Sequence, residues 1–202
     1  MAVTPKRVDV ISADTKQLGF EYQYLYFIIR LLQLRSGCEV GYEALDDIHV
    51  ISGSLGDTQY IQVKHTTELT ADGSPANLTT LSEDLWKTLS NWSKLISDPA
   101  EQRETIESQK LFIQRGNFIF VTNRNACKNQ VSSLINSVKQ NTCTGTNAKK
   151  ELHRIKKLTK SSTIQEYIDD VCKLAPSILG SFFQKLNWSQ LKMIFFSKYA
   201  RE

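Results

Sequence analysis

An acid, an amide and an amine stand at a spacing that suits phosphodiester chemistry: Asp47, then Gln62-Val63-Lys64 after fourteen intervening residues. Hydrolysing a phosphodiester needs an attacking water and a way to spread the charge that develops on the phosphate and the leaving oxygen. A hard divalent cation, Mg²⁺ or Mn²⁺, does both, and it often binds through only one or two carboxylates. Asp47 supplies one carboxylate, and Glu43 can join it from the preceding segment. Gln62 offers a carbonyl oxygen, with the backbone carbonyl of Ile61 or Val63 as a further ligand. Lys64 can orient or deprotonate the water, or stabilise the phosphorane charge. The spacing does not choose among these roles.

Strand parity is what would bring the three together. Asp47-Ile48-His49-Val50-Ile51 and Tyr60-Ile61-Gln62-Val63-Lys64 read as strands, and Ser52-Gly53-Ser54-Leu55-Gly56-Asp57 between them is rich in turn formers. A hairpin is the expected result. Side chains alternate faces along a strand, so Ile48 and Val50 share one face, as do Ile61 and Val63. Asp47, Gln62 and Lys64 then fall on the opposite face, where His49 shares the parity of Asp47. A polar-faced hairpin is also what a solvated sheet surface looks like, and parity alone leaves both readings open.

The remaining elements set the frame. Asp14 and Gln17 have capping-box spacing at the start of a helix carrying Phe20, Tyr24, Phe27, Ile28, Leu31 and Leu32, which Ser36-Gly37 ends. Cys38 to Glu43 forms a short extended segment. Thr80 and Glu83 predict a second capped helix with the stripe Leu81, Leu85, Leu89, Trp92 and Ile96, stopped by Asp98-Pro99. Phe118-Ile119-Phe120-Val121 reads as a buried inner strand. Helices are expected over about 128–140, 148–159, 164–174 and 177–186, and Leu191 to Phe196 as a strand or a helix end. This order suggests the α/β class, a mixed sheet flanked by helices with a helical C-terminal part.

Composition excludes more than it identifies. The chain has 202 residues, 41% apolar and 23% charged, an ordinary globular balance. No apolar window is long enough for a membrane span, and the N-terminal residues lack a secretory core, so a cytoplasmic protein is expected. Cys38, Cys127, Cys143 and Cys172 form no CxxC pair and read as packing thiols rather than a zinc site. A net charge of +4 is compatible with a polyanionic partner without requiring one. No phosphate-binding GxxxxGK[ST] loop is present.

Four segments occur in a telling order: Gly19-Phe20-Glu21-Tyr22-Gln23, Glu43-x-x-Asp46-Asp47-Ile48, Ile61-Gln62-Val63-Lys64-His65 and Phe120-Val121-Thr122-Asn123-Arg124. Together they resemble the PD-(D/E)xK double-stranded-DNA nuclease domains at the N-terminus of bacterial anti-phage effectors. Those include the CBASS endonucleases with a SAVED sensor and the Avs-type STAND NTPases. The resemblance runs from about residue 12 to 125 and more loosely through the C-terminal helices. It implies a restriction-endonuclease-like fold and metal-dependent cleavage of double-stranded DNA. The motif aspartate falls on Asp47, with Asp46 the close alternative, and Gln62 replaces the usual acid, as in a QxK subset of the superfamily. Gln23 matches a Tyr-Gln pair and can approach the site. By the same analogy the chain is a single domain over 1–202, with a catalytic core of about 12–125 and a helical part of about 126–202. It would be the N-terminal effector part of a larger protein, associated with a sensor or NTPase module and active as a homo-oligomer.

Other residues bear on nucleic acid. Lys149, Lys150, His153, Arg154 and Lys157 share one helical stripe, near Lys156 and Lys160, and such a ridge can follow phosphates. It is more often the pattern of a solvated face. Arg124 and Lys128 are further DNA-binding candidates. His65 points away from Lys64 and suits a structural role. Trp86, Trp92 and Trp188 suit core or interface positions. Two alternatives remain at this stage: a nucleic-acid-binding domain of the same fold without catalysis, and a protein-interaction module docking through residues of about 128–186.

Overall fold

The computed structural model describes residues 7–53 and 56–190, with side chains over 18–53 and 56–189. It is an α/β structure built on one five-stranded mixed sheet. Helix α1 (Arg7–Leu32) leads into β1 (Cys38–Tyr42), β2 (Ile48–Ser52) and β3 (Asp57–Lys64). Then come α2 (Glu83–Ile96), a 3₁₀ turn at Pro99–Glu101, α3 (Ile106–Arg115) and β4 (Gly116–Thr122). Helices α4 (Gln130–Lys139), α5 (Gly145–Lys156), α6 (Ser162–Lys173) and α7 (Pro176–Lys185) follow, and β5 (Leu186–Gln190) ends the described chain. Strand order is β1-β2-β3-β4-β5: β1 to β3 form an antiparallel meander, and β4 and β5 add parallel strands. Among the described residues no helix is long and apolar enough to cross a membrane.

The expected hairpin forms, with Ile48 opposite Ile61. Parity then divides the sheet into two faces. Ile48, Val50, Ile61, Val63 and Val121 pack with Tyr26 and Phe27 of α1. Tyr60, Phe118 and Phe120 face the other way, into a larger core with α2 and the helices that follow. Strand β4 is the inner strand its apolar run suggests, flanked by β3 and β5. Trp86 and Trp92 are buried in the larger core, with Trp188 packed against it.

Several boundaries differ from expectation for identifiable reasons. Helix α1 already runs at Arg7, so Asp14 lies inside it and is no N-cap; residues 7–13 hold no Gly or Pro to stop the helix earlier. Thr80 does not cap α2 either. The N-cap is Ser82, which makes no side-chain capping bond. Thr80 is engaged elsewhere: its hydroxyl accepts from the Gln130 N–H and its carbonyl from Trp86 Nε1. Helix α3, capped by Thr105 onto the Ser108 N–H, has no counterpart in the sequence reading. Strand β5 directly follows α7, whereas Leu191 to Phe196 lies outside the described residues. Of the cysteines, Cys172 is buried as a packing thiol, but Cys127 is exposed.

Two contacts seal the helical layer. Gly145, at the start of α5, sits so close to the Pro176 carbonyl that any Cβ there would overlap it. Asp170 on α6 joins α2. Its carboxylate accepts from Ser90 Oγ at 2.7 Å and pairs with Lys94 at 2.8 Å, while Lys173 donates to it at 2.7 Å. Desolvation would raise its pKa, but the bonds from Lys173, Lys94 and Ser90 outweigh it and hold the carboxyl at about 2. A folded-state pKa below the unfolded value of 3.8 gives stability that is present above 3.8 and lost as pH falls toward about 2. Asp170→Asn is therefore expected to lower the urea unfolding free energy by about 1–3 kcal/mol at neutral pH. That deficit closes as the pH approaches 2, and a deficit constant across this range would contradict the account.

Candidate active site

Asp47 sits one residue before β2, where the hairpin register continued by one step places it opposite Gln62. Its side chain replaces a ladder bond there. Asp47 Oδ2 accepts the Val63 N–H at 2.9 Å, so the carboxylate is fixed to the backbone of β3. The same oxygen accepts from Gln23 Nε2 of α1 at 2.8 Å and stands 4.0 Å from Lys64 Nζ. All three contacts bear on Oδ2 and leave Oδ1 out. Gln23 Oε1 is buried without a hydrogen-bond partner among the described residues. A buried acceptor left bare costs about 1–3 kcal/mol, so this corner is suited to a cation or a water.

Asp47 opens onto a cleft of about 840 Å³ between the β1–β2 loop, β3 and α2. Glu43, Asp46 and Gln62 line it with Asp47, and Trp92, Lys94 and Asp98 close the far side. Glu43 takes a left-handed conformation, φ +51°, and its N–H donates to the Asp47 carbonyl at 2.9 Å, which closes the loop. Asp46 is bound differently from Asp47. Its carboxylate accepts from Trp92 Nε1 at 2.6 Å and from the Asp47 N–H at 3.0 Å, tying the loop to α2. Burial raises its pKa, and although those two bonds pull it down, the carboxyl stays at about 6. The adjacent acids therefore do different work: Asp46 anchors, and Asp47 presents an oxygen.

Asp47 and Lys64 are thus in contact, Glu43, Asp46 and Gln62 share the Asp47 cleft, and Gln23 binds Asp47 directly. The other candidates lie elsewhere. His49 lays its ring over Gly41, its cross-strand partner, where a Cβ at residue 41 would collide with it. It makes no hydrogen bond to Asp47; its Nδ1 is buried without a partner among the described residues, and burial lowers its pKa. His65 stacks on Tyr22 of α1, ring centroids 3.4 Å apart, and desolvation with the nearby Arg124 charge lowers its pKa to about 4.

Helix α5 packs on α4, α6 and α7 through Ala148, Leu152 and Ile155, and none of its basic ridge lines the Asp47 cleft. Lys150, His153 and Lys157 are exposed. Lys149 donates to the Leu174 carbonyl at 3.1 Å, Arg154 pairs with Glu151 at 2.9 Å, and Lys156 clamps Asp169. Lys128 is exposed, and Arg124 faces Asp84 at 3.6 Å. Sequence reading did not single out Trp92 as the anchor of Asp46. Its place in the α2 stripe signals burial, but nothing local signals a carboxylate 46 positions away.

Among the described residues no three His, Cys, Asp or Glu side chains form a ready metal cage. The donors offered by the residues of the cleft are oxygens: the Asp47 carboxylate, the Gln62 amide and the Glu43 carboxylate. That set suits a hard cation, which keeps water and substrate oxygens in its own shell, and does not suit zinc. No family model matches the chain, and neither does any curated protein or solved structure.

Proposed function

We propose that this chain is a metal-dependent endonuclease domain of restriction-endonuclease-like fold that hydrolyses phosphodiesters of double-stranded DNA. One observation carries the reading: a single oxygen of Asp47 is held by Gln23, the Val63 N–H and the Lys64 charge, and the residue lines a cleft shared with Gln62 and Glu43. The element order supports the fold assignment, with a helix, an antiparallel three-strand meander, helices and then a parallel strand. A bound Mg²⁺ or Mn²⁺ would neutralise phosphate charge and acidify the attacking water.

The residues of the chain do the rest. Asp47, with Gln62 and Glu43, would hold the cation, and Asp46 serves as the loop anchor rather than the ligand. Gln23 and the Val63 N–H fix the carboxylate so that no reorientation is needed when substrate enters. Lys64, 28% exposed at its side chain, stands where it orients the water or meets the developing negative charge. A single-acid site built with Gln62 leans more on substrate oxygens for its coordination, so metal affinity should rise when DNA binds. By the family resemblance, the domain is the cytoplasmic effector of an anti-phage protein, active when associated sensor or NTPase modules bring copies together. Incubation with supercoiled plasmid tests the reading: cutting with Mg²⁺ or Mn²⁺ and none in EDTA is expected. Binding of plasmid with no cutting in either metal would favour the non-catalytic alternative.

A further inference from the structure

A second cleft, of about 460 Å³, opens beyond the carboxyl ends of β4 and β5. Its walls include Thr122 at the end of β4, Arg124 after it, Ser132, Asn136 and Lys139 of α4, and Trp188 of β5, and among the described residues no carboxylate lines it. Lys139 Nζ donates to Asn187 Oδ1 at 2.7 Å, and no ion pair forms on it among the described residues. Desolvation lowers the pKa of this amine. Arg124 is only partly answered by Asp84 at 3.6 Å. Arg124 and Trp188 line the cleft, and their Nε and Nε1 are buried donors with no partner among the described residues. The set is rich in donors and positive charge. A phosphate, all acceptors and negative, is its chemical complement.

The position relative to Asp47 gives the phosphate a source. Lys64 lies opposite Thr122, and Thr122 opposite Gln190, so the cleft begins one strand away from Lys64. Two strand spacings of about 4.8 Å separate β3 from β5, roughly three base-pair rises along one DNA strand. We propose that this cleft seats a backbone phosphate of the same DNA strand whose scissile phosphodiester lies at Asp47 and Lys64. The placement rests on the nuclease reading, but the binding does not require cleavage.

Titrating a short labelled duplex by fluorescence anisotropy in EDTA, over a salt series, tests this separately from catalysis. Lys139→Gln is expected to weaken binding by roughly threefold to tenfold and to reduce the log–log salt slope by about one, while Lys139→Arg retains both. Asn136→Glu, exposed at the cleft and not involved in the Asn187 bond, should weaken binding similarly while leaving the fold intact. Unchanged affinity and slope in Lys139→Gln and Asn136→Glu would overturn the proposal, as would failure of the wild-type chain to bind duplex. Saturable binding of inorganic phosphate with duplex affinity indifferent to residue 139 would assign the cleft to a free anion and likewise overturn it. Plasmid cutting with no effect at residue 139 sinks this proposal alone. An effect at residue 139 without any cutting sinks only the nuclease reading.

Discussion

Lys64→Ala is expected to cut plasmid DNA about 10²–10⁴-fold more slowly than the wild type, the range lost when a positioned proton-transfer or charge-stabilising group is removed. Binding should largely survive. One cation neutralises about one phosphate, so duplex affinity at fixed salt should change by less than about tenfold. Stability should move little as well: Lys64 Nζ is 4.0 Å from Asp47 and partly exposed, and such pairs contribute about 0–1 kcal/mol. A variant that is slow, bound and folded places Lys64 in the chemistry. Cutting at the wild-type rate would show that the polar end of the hairpin is merely solvated.

The second large effect concerns the frame that carries the site. Phe118 of β4 is fully buried, and its ring meets Tyr60 at 5.4 Å, Trp92 at 5.4 Å and Phe182 at 4.9 Å. One side chain thereby joins β3, α2 and α7. Phe118→Ala should cost about 3–5 kcal/mol in urea unfolding, from lost burial and the cavity left behind. Domains of this kind hold roughly 5–15 kcal/mol in total, so the loss is a large share. The site should feel it too, because Trp92 packs on Phe118 and in turn holds Asp46 at 2.6 Å. A loss under about 1 kcal/mol would mean that the core collapses around the gap and that this ring is not a keystone.

That Asp47, Gln62 and Lys64 share one side of the hairpin was legible because strand parity has a period of two: Ile48, Val50, Ile61 and Val63 pack on α1, and their neighbours turn to the side that also carries Tyr60 and the larger core. The partner of Gln23 was only suggested by a motif, since the sequence does not say that α1 crosses that end of the sheet. Thr80 shows the opposite failure. Its spacing to Glu83 imitates a capping box, yet its hydroxyl serves the Gln130 N–H, 50 residues away, and long-range demand overrode the local pattern. Strand β5 escaped notice because Leu186-Asn-Trp-Ser-Gln has just two apolar side chains and no Gly or Pro separates it from α7. Without β5 there is no cleft at the carboxyl ends of β4 and β5, and Lys139 reads as one more surface lysine. Asp46 and Asp47, adjacent and identical in type, were separable only by their partners, Trp92 for one and Gln23 with Val63 for the other.

The most direct measurement is the single-turnover rate of supercoiled plasmid cleavage by the wild-type chain and by Asp47→Asn, each in Mg²⁺, in Mn²⁺ and in EDTA. The substitution removes one negative charge while keeping the shape that accepts the Val63 N–H. The account predicts metal-dependent cutting by the wild type, none in EDTA, and a loss of at least about 10²-fold in Asp47→Asn. Cutting by Asp47→Asn at the wild-type rate, or cutting by the wild type that persists in EDTA, would contradict it.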